Sequence, residues 1–192
     1  SLYGLERDEE ALQCYDRAIA IDENYGFTWY CKGNSLSSLE RYDEALVCYD
    51  RVLKIDENYA DAWGSKGLAL ARLERYDEAL QCYDRVLKID ENNESALHNK
   101  AHALTRLERY DEALQCYDRV LHLNENNVDA WGGKSWVLSD LERYEEALDA
   151  LSEALEHTNI IVNENERTMT RDKIMTTYNH IIEKSKKSTS NR

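Results

Sequence analysis

Residues 40–58 read ERYDEALVCYDRVLKIDEN. The same stretch returns at 74–92 with one change, Gln81 for Val47, and again, less strictly, at 108–126. A partial copy covers 6–24, and a looser one starts at Glu142. The start points 6, 40, 74, 108 and 142 are each 34 residues apart. A period of this length predicts a stacked array in which each unit contacts mainly its neighbours, with no single central core.

Working outward, each period holds two helical patterns. In 60–93, Trp63, Gly67 and Leu70 recur at spacings of four and three, and after Glu74-Arg75-Tyr76 the residues Ala79, Tyr83 and Val86 do the same. Both stripes follow the helix period. Asp77 and Glu78 fall in the first turn of the second helix, where its dipole favours acids. Asp50 and Lys54, and Asp84 and Lys88, stand at the i, i+4 spacing of helix ion pairs. The polar segment 90–93 is short enough to turn the chain into an antiparallel neighbour.

The chain resembles the tetratricopeptide repeat (TPR) family, in the style of prokaryotic tandem arrays. With the frame started at Gly26, Ala60, Glu94 and Val128, the fourth position holds Trp29, Trp63, Leu97 and Trp131. The eighth holds Gly33, Gly67, Ala101 and Ser135, the twentieth Ala45, Ala79, Ala113 and Ala147, and the twenty-fourth Tyr49, Tyr83, Tyr117 and Leu151. The resemblance implies an all-α fold. It would be an α-solenoid, a right-handed superhelix of antiparallel helix pairs. The division expected is a partial first repeat over 1–25, four units at 26–59, 60–93, 94–127 and 128–158, a capping helix over 159–184 and a disordered tail over 185–192. One departure is consistent: Glu23, Glu57, Glu91 and Glu125 stand where the family has a helix-stopping proline. The second helices are therefore expected to run slightly further into the loops.

Comparing the repeats with each other separates scaffold from site. The second helices barely differ, while the first helices differ on one stripe, frame positions 2, 5, 9, 12 and 13. In the family that face lines a concave groove for peptides. Here it carries Phe27, Tyr30 and Asn34, then Asp61, Leu68 and Arg72, then Ser95, His98, His102 and Arg106, then Asp129 and Trp136. Aromatic residues where no packing partner is expected point to a binding surface. A subset of the family grips chaperone tails. Its clamp positions hold Tyr30, Asn34, Ser65, Ser95 and Asn99 here, and only Asn34 matches, so that clamp is not expected. The recurring Lys32, Lys66, Lys100 and Lys134 are read as stems over apolar surface with heads on carboxylates.

The composition narrows the function classes. Charged residues make up 32% of the 192, proline is absent and the net charge is −14. From Thr158 onward seven Lys/Arg face four Asp/Glu, +3, which leaves −17 on the repeats. So acidic a body repels nucleic acid and anionic membranes. Cys14, Cys48, Cys82 and Cys116 are equivalent positions in successive repeats. Neighbouring helices are too far apart to bridge them, and free thiols suit a cytoplasmic protein. No cofactor or metal is expected: no CxxC, phosphate loop or nucleophile elbow occurs, and His98 and His102 share a face without a third ligand. The chain opens mid-repeat without Met, as a fragment would. The expectation is a non-enzymatic scaffold binding a protein or peptide. The alternative is self-assembly, a homo-oligomer through terminal helices, because Ala11, Leu12, Tyr15 and Ala18 lack the partner helix of the other copies. A capping box at Asn163 and Glu166, then Ile174, Met175, Tyr178, Ile181 and Ile182, predict a helix closing the last repeat.

Overall fold

Each full repeat folds as two helices. A computed structural model describes residues 2–158 and 164–190, and the side chains of 9–158 and 167–188. Asn163 and the side chain of Glu166, expected as a capping box, lie outside these. The helices described are α1 (Leu2–Ile21), α2 (Gly26–Ser38), α3 (Tyr42–Ile55), α4 (Ala60–Arg72), α5 (Tyr76–Ile89), α6 (Glu94–Arg106), α7 (Tyr110–Leu123), α8 (Val128–Asp140), α9 (Tyr144–Thr158) and α10 (Glu164–Ser190).

Within a pair, a missing Cβ lets the helices approach. A Cβ built on Gly33 would lie 2.6 Å from the ring of Tyr49, and one on Gly67 2.6 Å from that of Tyr83. Both rings are almost fully buried. The following repeat handles the same aromatic differently. The eighth position is Ala101, and the ring of Tyr117 lies against Gly133, where a Cβ would come within 2.4 Å. Gly133 falls at a position that holds Ser65 and Asn99 in the two preceding repeats. The small residue has moved to where the ring goes.

The LERY segments make the turn inside each pair. In the first, Glu40 N–H donates to the Ser37 carbonyl (3.0 Å) and Arg41 N–H to the Leu36 carbonyl (2.9 Å), a Schellman end. Its left-handed residue is usually glycine. Here it is Glu40, Glu74, Glu108 and Glu142, with φ of 57–59°. The arginine that follows then clasps the next helix. Arg75 Nε and Nη2 donate to the two carboxylate oxygens of Glu78 at 2.6 and 2.7 Å, and Arg41, Arg109 and Arg143 do the same to Glu44, Glu112 and Glu146.

Between pairs, the second helices do not lengthen for want of proline. α3 stops at Ile55, before Glu57. Asp56 turns extended there, and its carboxylate accepts the Asn58 N–H at 2.9 Å, so an aspartate turn ends the helix. The indole of Trp63 then donates to the Glu57 carbonyl at 2.8 Å, as Trp29 does to Glu23 and Trp131 to Glu125. Lys32, Lys66 and Lys134 behave as expected. Lys66 Nζ sits 5.5 Å from the Trp63 ring centre and 2.6 Å from Asp50. Lys32 and Lys134 repeat this with Asp16 and Asp118. Asp50 therefore pairs with Lys66 rather than with Lys54, four residues on, because the neighbouring helix brings a cation closer.

The chain forms two compact units, residues 1–99 and 100–192. In the first, α1 packs on α2, α2 pairs with α3, α3 packs on α4, and α4 pairs with α5 and touches α2. Leu12 of α1 is buried, Ala11 and Tyr15 are half-buried, and Ala18 is exposed. In the second, α7 packs on α8, α8 pairs with α9, and α10 packs on α9 and touches α8, as α4 does to α3 and α2. Of the stripe expected to close the array, Ile174 and Ile181 are buried, Tyr178 and Ile182 half-buried, and Met175 exposed. A seam of residues seven apart covers a narrower face than five apolar positions would fill. α10 runs on to Ser190, through much of the stretch expected to be disordered; its Ser and Lys residues contain no helix breaker. All five cysteines are free thiols. No described helix is long and apolar enough to cross a membrane.

Candidate functional site

In the first unit, α2 and α4 place the varied positions side by side. Phe27, the second residue of α2, is 53% exposed, and its ring lies 6.5 Å from that of Tyr30. Tyr25, just before α2, lies 6.3 Å from Phe27 on the other side. Tyr59, just before α4, lies 5.4 Å from Tyr30. Four aromatic rings thus form one row across two repeats, and Tyr30 also meets the buried Tyr49 ring at 6.3 Å. Burial pushes the Tyr59 phenol up from its ordinary value, with the Asp61 carboxylate adding to it.

Two hollows flank Leu68, which is 45% exposed. One, of about 240 Å³, is lined by Tyr30, Asp61, Gly64, Ser65, Leu68, Ser95 and Asn99 among others. The second, of about 370 Å³, is lined by Asn34, Ser37, Ser38, Tyr42, Tyr49, Ser65, Leu68 and Arg72. The Tyr49 hydroxyl donates to Asn34 Oδ1 at 2.9 Å. Desolvation raises that phenol to about 12, so it remains a donor at neutral pH. The carbonyl of Asn34 is thereby engaged, and its amide N–H groups are the part left to offer.

Seven of the residues singled out from sequence therefore converge in this unit: Phe27, Tyr30, Asn34, Asp61, Leu68, Arg72 and Ser95. Sequence reasoning misses Tyr25 and Tyr59 because the last frame position falls in the turn between repeats. A signal was present, since that position reads Tyr, Tyr, Asn, Asn. The asparagines cap their helices: Asn93 Oδ1 accepts the Ala96 N–H and Asn127 Oδ1 the Ala130 N–H, both at 2.9 Å. Tyr25 and Tyr59 make no such cap. Replacing an Asn cap by a residue that cannot accept costs about 1 kcal/mol, so the aromatic row exists at the expense of helix stability.

The remaining predicted residues have other surroundings. His98 is half-buried, His102 and Arg106 are exposed, and all three interact with other groups of the chain. Among the described residues no three His, Cys, Asp or Glu side chains gather as a metal set would. In the second unit Asp129 is exposed. Trp136 is shared with the chain's own last helix. The His180 ring stacks on it at 5.8 Å and 6°, and Lys184 Nζ sits 5.8 Å from its centre while pairing with Asp140 at 2.8 Å.

Comparison with known proteins agrees with this architecture. Solved structures similar to it in fold have low identity and so bear on fold alone. A structure of MamA 41-end from Desulfovibrio magneticus RS-1 superposes with a TM-score of 0.78 at 19% identity, covering 81% of this chain and 88% of that one. YrrB, a TPR protein with an unusual peptide-binding site, gives 0.71 at 24%, covering 90% and 87%. The first TPR of Spaghetti (RPAP3), bound to the HSP90 peptide SRMEEVD, gives 0.60 at 24%, covering 63% and 96%. No curated protein sequence matches the chain. The tetratricopeptide repeat pattern itself matches residues 27–59, 60–93, 95–127 and 128–156. With most of its length so matched, the chain belongs to the tetratricopeptide repeat family.

Proposed function

We propose that the chain is a non-enzymatic interaction scaffold that binds a peptide segment of a partner protein across the varied face of its first unit. The observation that carries this reading is the row Tyr25, Phe27, Tyr30 and Tyr59. Two of these rings are more than half exposed, and two stand where a helix cap would stabilise the fold more. Large rigid rings with few rotamers lose little entropy on binding and supply most of the energy at interfaces. YrrB, a TPR protein with an unusual peptide-binding site, and the Spaghetti domain, bound to an HSP90 peptide, share this fold, which is consistent with this use. Free thiols and an acidic body suit a cytoplasmic setting.

Calorimetry with peptides selected against the full chain tests the reading. Tyr30→Ala is expected to weaken binding by about tenfold or more, the scale of an interface anchor, and Phe27→Ala to weaken it too. Unchanged affinity in both would remove the site. Self-assembly through terminal helices is the second reading, favoured by Ile21, 88% exposed at the end of α1. Sedimentation of the chain across concentration decides it: a monomer throughout excludes it.

A further inference from the structure

The two hollows of the first unit carry opposite charges. Among the residues lining the first, Asp61 is the one ionised group, and Arg72 has that place in the second. Both are exposed, and neither enters an ion pair among the described residues. Elsewhere in this unit Lys32, Arg41, Lys66 and Arg75 each hold a carboxylate at 2.6–2.7 Å. Asp61, Leu68 and Arg72 stand at i, i+7 and i+11 on α4, which returns them to one stripe of the helix. At 1.5 Å per residue the acid and the cation are about 16 Å apart, the span of about five residues of extended chain.

The acid end adjoins the aromatic row: Tyr30 and Asp61 line the same hollow. Aromatic faces beside a carboxylate attract a cation through the ring quadrupole and the charge together. The second unit shows the same combination filled from within, by Lys184 over Trp136 and on Asp140. The cation end is Arg72 in a hollow of Ser and Asn side chains, which suits a carboxylate. Between them Leu68 offers an apolar contact.

From this, resting on the face proposed above, we propose that the first unit selects an extended segment of fixed polarity pattern. It carries a Lys or Arg side chain for the aromatic row and Asp61, an Asp or Glu side chain about five residues away for Arg72, and an apolar residue between for Leu68. Acidic surroundings alone would favour any basic peptide; the Arg72 end is what demands the second charge.

The test uses a random nonapeptide library, blocked at both ends so that only side chains bear charge, selected against the full chain. Enriched segments should carry a cation and an acid four to six residues apart. In calorimetry Arg72→Glu should weaken them about tenfold, and changing the acid of the segment to Lys should recover most of that loss. Asp61→Lys should do the same at the cationic end. Segments without that spacing, or indifferent to Arg72→Glu while lost on Tyr30→Ala, overturn the charge pattern and leave the face standing. Segments indifferent to Tyr30→Ala as well, or no enriched segment at all, contradict the face itself. A parallel selection with free C-termini is the control: segments enriched only there, and lost on amidation, would also overturn the assignment of Arg72 to a side-chain acid.

Discussion

The rings of Tyr30 and Tyr59 lie 5.4 Å apart at 47°, one on the second helix and the other at the entrance to the fourth. Tyr59 occupies a capping position without capping, while Asn93 and Asn127 cap at the equivalent place. Tyr59→Asn should therefore stabilise the fold by about 0.5–1 kcal/mol while weakening peptide binding. Paired thermal melts and calorimetry check this. A variant that loses both stability and affinity would mean that the ring is structural.

Close approaches of helices, within a pair at Gly67 and between pairs at Gly133, give a graded series. Gly67→Ala drives a Cβ to 2.6 Å from the Tyr83 ring and Gly133→Ala to 2.4 Å from Tyr117. Each should cost about 1–3 kcal/mol by overpacking. Gly64→Ala and Gly132→Ala meet nothing within 4 Å, and should be neutral or stabilising by up to about 1 kcal/mol through helix propensity. Denaturant midpoints separate the two groups.

Four glutamates sit at positive φ, where an L-residue is strained by about 1–2 kcal/mol. Glycine removes that strain but gains about 0.5–1 kcal/mol of unfolded-chain entropy. Glu40→Gly and Glu142→Gly should thus gain roughly 0.5 kcal/mol each, and the double variant about twice that, since the sites are well separated in sequence and share no partner shown here.

The arginine clasps make stability fall with acid. Hydrogen bonds from Arg41, Arg75, Arg109 and Arg143 lower the carboxyl pKa of Glu44, Glu78, Glu112 and Glu146. A carboxylate lowered in the folded state contributes stability above its unfolded value, about 4.3, and loses it as pH falls through the folded value. Arg75→Gln should move the acid-unfolding midpoint upward in pH and leave the alkaline limb unchanged.

Removing residues 164–192 should lower the melting temperature, because Ile174 and Ile181 lose burial worth up to about 1.5–3 kcal/mol each. Lys184→Ala should cost less than about 1 kcal/mol, since its pair with Asp140 is partly exposed. Unchanged melting on truncation would mean that α10 is not an integral part of the second unit.

The architecture was legible because a 34-residue period leaves few alternatives: the helix pairs, the packed Trp and Gly positions and the lysine–carboxylate pairs all follow from it. Details set by one local contact were less legible. Proline's absence suggested longer helices, but Asp56 ends α3 with a carboxylate that accepts the Asn58 N–H. The stripe on α10 suggested five buried residues, but Met175 lies a third of a turn from Ile174 and faces solvent. At the candidate site, Phe27 and Tyr30 were visible as aromatics without packing partners. Tyr59 was not, because its place depends on the packing that brings the start of α4 alongside Tyr30 on α2.

The central claim is that peptides bind the face formed by α2 and α4. The most direct measurement is resonance mapping of the labelled chain during titration with a selected nonapeptide. The largest shifts should fall on Phe27, Tyr30, Tyr59, Gly64 and Leu68. Shifts gathered instead around Val47, Leu53, Trp63 and Gln81, with the aromatic row unmoved, would contradict it.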